Sequence, residues 1–499
     1  MPEPRASAEL LTSVDSETDA SRLGPATKDS GLRRILLYGA SRGTVEALLG
    51  LRGFVLAAIL GPEAFGAWAL FRLATRYAGL SAMGVHRGLE YEIVHARAAE
   101  DPADPRRAEL AGRTALGFVL LVFGALAAVA IAGSFITDDA RLAAGMRAFA
   151  AGTLSEQVWL YLVTSLRAHG ELRRFAVNEL WNAVAQLVLT SALATAVGLT
   201  GAYAGFVLAG VFSVILLAGR VPLRPGLSIE RLRRLMRVGA PLALVLAATM
   251  MLNTADRFVV AAYGGTALLG QYAFAVAISR LATSAGMAVR TVIFPRVYER
   301  AAGAGAAAAL REHIDRTLVP FAMLFPPLVG VAAIVIGPPV AMLVPQYLDA
   351  VAPARLFVFT GVTTGIVSLT SVGVVAAGRQ RALPPFSLLA VLVNVALSTF
   401  AVRGGLGLPG VAAAALLSQA GFAAASLVIM ARSGGLAGTG ALLRRTLLPL
   451  SWCAAILFGL QQITGMLTPV SALAGAGAFL VLASPIYPAI IRAVRRARR

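Results

Sequence analysis

Apolar stretches of helical length, each bounded by short polar or basic segments, recur along the whole chain. They begin near Ile35, Phe65, Thr114, Leu142, Phe175, Ala202, Val238, Ala267, Thr317, Ala350, Pro384, Val411, Leu447 and Val470. A helix rises ~1.5 Å per residue and the hydrocarbon core of a bilayer is ~30 Å thick, so each stretch is long enough to cross it. The pattern predicts an all-α polytopic membrane protein of about fourteen transmembrane helices.

The connections alternate in charge. Arginines crowd every second one: Arg97, Arg106 and Arg107; Arg167, Arg173 and Arg174; Arg220, Arg224, Arg231, Arg233, Arg234 and Arg237; Arg296, Arg300 and Arg311; Arg379 and Arg381; Arg444 and Arg445. The others carry Glu63, Asp138, Asp139 and Asp349, with Arg141 and Arg403 as exceptions. By the positive-inside rule both termini are expected in the cytoplasm and the protein in the cytoplasmic (inner) membrane. The terminal cluster Arg492, Arg495, Arg496, Arg498 and Arg499 agrees. Residues 1–30 are polar, of mixed charge and without an apolar h-region, which reads as a disordered cytoplasmic tail and not a signal peptide.

Composition sharpens this reading. The 499 residues are 58% hydrophobic and 14% charged, with a mean hydropathy of +0.76, so lipid and not water is the solvent. A net charge of +19 raises nucleic acid as a partner, but the arginines sit between membrane-length stretches and set topology instead. Lys28 is the only lysine, which leaves no Gly-Lys-Ser/Thr phosphate loop and excludes ATP as the direct fuel. Cys453 is the only cysteine and forms no intrachain disulfide. His95, His169 and His313 stand alone, without metal-ligand spacing, so neither metal nor cofactor is expected. The outer connections are too short for a folded catalytic domain, which argues against an enzyme.

The two halves repeat. Phe54, Val55, Ala57, Ala58, Gly61, Gly66, Trp68 and Ala69 return as Phe258, Val259, Ala261, Ala262, Gly265, Gly270, Tyr272 and Ala273, each 204 positions later. Thr75 and Arg76 match Ser279 and Arg280 in the same register, as Met83, Val85 and His86 match Met287, Val289 and Arg290. The expected organisation is a six-helix N-lobe at 31–222, a cytoplasmic linker at 223–237, a six-helix C-lobe at 238–432, and a helix pair with a basic tail at 433–499. An even number of spans per lobe gives both the same orientation, related by a pseudo-twofold along the membrane normal.

This plan resembles the multidrug/oligosaccharidyl-lipid/polysaccharide exporter superfamily, which has a MATE-like fold. "ILGPEAFGAWAL" is similar to the start of polysaccharide-export flippases. "NTADRFVVAAYGGTALLGQYAFAVAI" followed by "VIFPRVYER" is similar to the second-lobe signature of O-antigen and exopolysaccharide flippases, carried here by Asp256, Arg257, Gly270, Tyr272 and Pro295. The resemblance covers about 35–432 and implies a Wzx-type flippase moving a polyprenyl-diphosphate-linked oligosaccharide to the outer leaflet by alternating access, for surface or exopolysaccharide biosynthesis. Expected partners are that glycan, membrane lipid, and the glycosyltransferases or polymerase of the same pathway. The alternatives are a MATE-type multidrug or cation antiporter, a lipid II flippase, and a membrane enzyme acting on the same lipid carrier. The family has no universal catalytic motif, so the resemblance implies no site residue.

Candidate residues come from depth. A charge inside a bilayer costs ~2.5–3.5 kcal/mol on insertion scales and usually faces a cavity or a partner. Arg52 precedes Gly61 by nine residues and Arg76 follows Gly66 by ten, roughly 13–15 Å of helix, which is near the midplane. Arg257 and Arg280 reach a similar depth in the second half, and Arg72 lies one helical turn from Arg76. Arginine stays charged and binds phosphate oxygens bidentately, so Arg52, Arg72, Arg76, Arg257 and Arg280 are candidates for holding a diphosphate in a central cavity. The competing explanation is that each pairs with a carboxylate and holds helices together, with Asp256 as an available partner. Asn178, Asn182 and Gln186 form a polar stripe suited either to sugar hydroxyls or to interhelical hydrogen bonds. Glu46, Glu156 and Asp256 are candidates for ion coupling, although Glu46 is also spaced to pair with Arg42 on its own helix.

Overall fold

The computed structural model describes the backbone of residues 25–98, 104–304, 306–376, 379, 382–433 and 438–498, and side chains within 43–97, 106–244, 246–279, 310–375, 379, 382–433 and 438–493. Residues 1–24 of the expected tail, and the side chains of Arg42, Arg280 and Arg290, lie outside the described set. The described residues are almost entirely helical, with a single isolated bridge between Ala218 and Val221.

Eleven helical runs among the described residues are long and apolar enough to cross a membrane. Fourteen crossings were expected, and the runs themselves show part of why the two numbers differ. Gly43–Ala82 has 40 residues and Leu172–Leu217 has 46, roughly twice the ~20 that one crossing needs. Each contains a reversal at one glycine. The helix Ala140–Ala168 is long enough but carries too many polar groups to count among the eleven.

The chain divides into two compact units, one of Met1–Leu60 with Ala67–Ala247, the other of Gly61–Gly66 with Ala248–Arg499. The first unit contains most of α1 (Pro25–Ala78), then α2 (Val85–Ala98), α3 (Asp104–Gly133), α4 (Ala140–Ala168), α5 (Leu172–Leu217) and most of α6 (Ile229–Leu252). Its helix ends close on a core of Val85, Leu89, Leu116, Leu162, Leu166 and Phe175.

The second unit holds α7 (Ala255–Ala304), α8 (Ala306–His313), α9 (Val319–Val335), α10 (Gly337–Leu343), α11 (Val351–Ala376), α12 (Leu383–Arg403), α13 (Gly407–Ser433), α14 (Thr439–Thr464), α15 (Pro469–Ala483) and α16 (Tyr487–Arg498). Its main core joins Phe321, Ile334, Phe359 and Ile366 to Leu450, Cys453, Leu457 and Phe479. The last two membrane helices are thereby packed into the second unit. Arg355, which its position at a helix start marks as an interfacial anchor, is instead buried and donates through Nη1 and Nη2 to the carbonyls of Gly465 and Met466, 2.9 and 2.8 Å away. It satisfies carbonyls just past the end of α14, where the backbone has no further helical donors.

Three of these helices fold back on themselves without a loop. Gly61, Gly198 and Gly265 have φ of 71°, 66° and 68°, a left-handed geometry that glycine adopts without strain. In α5 the arms touch so closely that a Cβ on Gly201 or Gly205 would collide with the carbonyls of Leu193 or Leu189. In a hydrocarbon solvent, where apolar burial drives little association, this small-residue packing holds the arms together. Outward-facing side chains elsewhere are apolar, as at Val470, Leu473 and Val481 on α15, which are more than 70% exposed. Such a surface suits acyl chains and not water.

Candidate functional site

In the first unit, the reversal at Gly61 brings Arg52 back against Trp68. The guanidinium carbon of Arg52 lies 5.7 Å from the indole centroid, within reach of a cation–π attraction. Trp68 belongs to a buried aromatic cluster with Phe71, Tyr203 and Phe206. The Phe71 and Tyr203 rings are 4.7 Å apart, and Phe206 meets both Trp68 and Phe71 edge-on. These residues sit at i, i+3 spacings on facing arms of α1 and α5, so two short sequence segments build one aromatic wall. Arg72 uses the other end of the wall, its guanidinium 4.1 Å from the Phe206 centroid.

Arg52 and Arg72 differ in their polar partners. Arg52 is buried and donates to Oε1 of Gln186. Gln186 donates onward to Oδ1 of Asn182 at 2.7 Å, and Asn182 donates to Oγ of Ser213 at 2.8 Å. Asn178 accepts from Trp159 Nε1 at 2.7 Å and reaches the Ser213 carbonyl at 3.4 Å. The stripe on α5 therefore runs as a hydrogen-bonded chain that ties the hairpin arms together and orients Arg52. Arg72 meets Oε2 of Glu156 on α4 at 3.5 Å. Arg76, one turn further along α1, is exposed. Glu46 is half-buried on the first arm of α1.

Below this cluster, at the start of α2, His86 is buried and shares a 3.1 Å hydrogen bond between Nε2 and Oε1 of Gln157. Its Nδ1 is buried with no partner among the described residues. Burial, assisted by the neighbouring Arg87 charge and opposed by the bond to Gln157, pushes the imidazole down to about 4, so the ring is neutral at neutral pH. Nearby, Glu90 accepts from Arg167 Nε and Nη2 at 2.7 and 2.8 Å and from Arg87 Nη1 at 3.0 Å.

The second unit repeats the hairpin and changes the chemistry. The reversal at Gly265 brings Asp256 against Tyr272, whose hydroxyl donates to Oδ2 at 2.5 Å. Asp256 is only 3% exposed, and its Oδ1 also accepts from the Arg257 backbone N–H at 3.0 Å. Tyr272 packs edge-on against Phe357, their centroids 5.1 Å apart. Arg257 is half-buried, and its Nε is buried with no acceptor among the described residues. A polar cluster that sequence reasoning missed joins distant segments at the end of α6: Gln419 donates to Asn253 at 3.3 Å and accepts from Thr363 at 3.1 Å, while Asn394 reaches the Leu252 carbonyl at 3.3 Å. Its members are scattered over four helical segments with no shared spacing, so nothing in the sequence groups them.

The first unit thus presents oriented, undeprotonatable cations on an aromatic wall, and the second a buried carboxylate held by a phenol. The first arrangement can receive phosphate oxygens, and the second can take up a proton or cation. A family profile described as polysaccharide biosynthesis protein matches residues 55–352, more than half of the sequence. The chain belongs to the polysaccharide biosynthesis protein family. Its fold is similar to those of solved flippases and transporters. An inward closed conformation of the lipid II flippase MurJ covers 91% of this chain and 100% of its own, with a TM-score of 0.68 at 14% identity. An outward-facing multidrug resistance MATE family transporter of the MOP superfamily covers 82% of this chain and 96% of its own, with a TM-score of 0.56 at 17% identity. Its inward-facing counterpart covers 87% of this chain and 98% of its own, with a TM-score of 0.55 at 17% identity. No curated protein matches the chain. With eleven membrane-length apolar helices among the described residues the chain is a multi-pass membrane protein, and the expected MATE-like fold is the one observed.

Proposed function

We propose that this protein is a flippase carrying a polyprenyl-diphosphate-linked oligosaccharide from the cytoplasmic to the outer leaflet of the inner membrane, for surface or exopolysaccharide assembly. The observation that carries this reading is the pair of guanidinium groups, Arg52 and Arg72, laid over Trp68 and Phe206 inside a membrane-length hairpin. An aromatic face orients a cation without neutralising it, leaving its N–H edges for an anion. Arg76 extends this basic face by one turn, and Arg257 and Arg280 take the equivalent role in the second half. Both termini are cytoplasmic in this reading, and the headgroup reaches the two sides in turn by alternating access.

The membrane potential, negative inside, favours outward passage of an anion by roughly 2.3 kcal/mol per charge per 100 mV. A diphosphate thus travels down the electrical gradient, and ATP is not required. Among Glu46, Glu156 and Asp256, the last is the best candidate for an added coupling ion, because it is buried and held by a phenol. Sugar hydroxyls meet Asn178, Asn182 and Gln186 in this scheme, exchanging for hydrogen bonds those amides already make. A drug-cation antiporter would need a site dominated by carboxylates, whereas the candidates Arg52, Arg72, Arg76, Arg257 and Arg280 outnumber Glu46, Glu156 and Asp256. An enzyme would need a catalytic domain, and the solved structures of similar fold are of a flippase and of transporters.

Arg76→Ala and Arg280→Ala are each expected to abolish polysaccharide export while the protein still inserts at normal abundance. The measurement is surface polymer in a strain carrying the variant as its only copy. Full export from the double variant would refute the arginine site.

A further inference from the structure

Among the described residues of the first unit, arginines match Glu90, Glu156 and the loop residue Glu171, and the first two matches are of different kinds. Glu90 accepts three hydrogen bonds of 2.7, 2.8 and 3.0 Å from two arginines, and its side chain is only 13% exposed. This is a fixed brace: breaking it leaves a buried charge unpaired, which is strongly destabilising. Glu156 meets a single nitrogen of Arg72 at 3.5 Å, the outer limit of a hydrogen bond, and is 32% exposed against 19% for Arg72. A long, monodentate, part-exposed pair contributes little to stability and opens readily.

Arg72, by contrast, stays in place without Glu156. Its guanidinium rests on Phe206 at 4.1 Å, and Nη1 reaches Thr75 Oγ1 at 3.3 Å. Thr75 is itself buried and anchored to the Arg72 carbonyl at 3.0 Å. Phe206 and Thr75 thus hold the cation in place, and because Thr75 and Glu156 share Nη1, the carboxylate takes only one of that nitrogen's two N–H bonds and can leave without freeing the guanidinium.

Resting on the diphosphate reading above, we propose that Glu156 is a tethered substitute for the phosphate: it occupies Arg72 in the empty site, is displaced when the headgroup arrives, and returns to help expel it. A diphosphate offers several oxygens to one guanidinium and outcompetes a single carboxylate oxygen at 3.5 Å. The tethered carboxylate keeps the cation satisfied between cycles and prevents the headgroup from binding too tightly to leave. This is a positioning and release role, distinct from carrying a coupling ion.

The test is titration of the purified full-length protein in nanodiscs with farnesyl diphosphate, followed by calorimetry, for wild type, Glu156→Gln, Arg72→Gln, the double variant of these two, and Arg76→Ala. Glu156→Gln is expected to tighten binding by on the order of threefold, the factor a part-exposed ion pair is worth. Loss of a merely structural contact would not raise affinity. Arg72→Gln is expected to weaken binding, and the double variant to match Arg72→Gln alone, because the competitor has nothing left to occupy. Glu156→Ala serves as a second removal of the carboxylate and should tighten binding in the same way. If the two Glu156 variants leave affinity unchanged or lower while Arg72→Gln weakens it, the substitute is overturned and the anion site stands. If wild type, Arg72→Gln and Arg76→Ala all bind alike, or none binds, both the substitute and the diphosphate reading fall.

Discussion

The hairpins of α1 and α7 share a backbone and oppose each other in charge. Both reverse at a glycine of positive φ, and both bring a residue nine positions before the turn against an aromatic seven positions after it. In α1 the pair is Arg52 on Trp68; in α7 it is Asp256 on Tyr272. The same register sets neutral His86 against Arg290. The difference teaches that duplication copied the scaffold while the charge at each equivalent position diverged. The indole face presents its cation loosely, whereas the phenol binds its carboxylate by a short, directional bond. One hairpin is built around a permanent cation and the other around a carboxylate able to take up a proton or cation.

The largest expected effect concerns His86 and its counterpart. The folded imidazole titrates at about 4 against an ordinary 6.5, so between those values the unfolded chain takes up a proton that the folded protein refuses. Stability should therefore fall by about 3 kcal/mol as pH drops from 6.5 to 4, and level off below. Thermal unfolding in detergent should show this loss in wild type and a shallower one in His86→Gln, while Arg290→Gln should keep the wild-type slope. Parallel slopes for wild type and His86→Gln would remove His86 from the account.

Next in size is the carboxylate held by the phenol. A double-mutant cycle of Asp256→Asn and Tyr272→Phe should give a coupling of about 1.5–3 kcal/mol, the range for a hydrogen bond to a charged group. The smallest effect belongs to the cation on the indole face. Arg52→Met with Trp68→Phe should couple by only about 0.5–1 kcal/mol, because 5.7 Å is near the limit of cation–π reach. Equal couplings in the two hairpins, read from the same unfolding assay, would erase the distinction between them.

Much of this scaffold was legible before any coordinates. The membrane-length periodicity, the register of the repeat and the turn glycines at Gly61 and Gly265 all follow from local pattern, because helix length and left-handed backbone are local properties. The substitution of Asp256 at the position of Arg52 was equally visible. Partners were not. Spacing puts Asn178, Asn182 and Gln186 on one face, but only the folded chain joins them to Trp159, Ser213 and Arg52. Asp256 was open to pairing with an arginine of either half, and the fold supplies a phenol from its own hairpin. Arg355 reads as a surface anchor because its partners, the Gly465 and Met466 carbonyls, lie more than a hundred positions away. Face and depth are encoded locally, whereas the choice among distant partners depends on packing that no single segment determines.

The loopless reversals also bear on how the protein enters the bilayer. With Gly201 and Gly205 pressed against the Leu193 and Leu189 carbonyls, no acyl chain fits between the two arms of α5. Each such pair is suited to leave the translocation machinery as one closed unit, its arms already pressed together, and the loopless tips present little for an antibody or protease to grip.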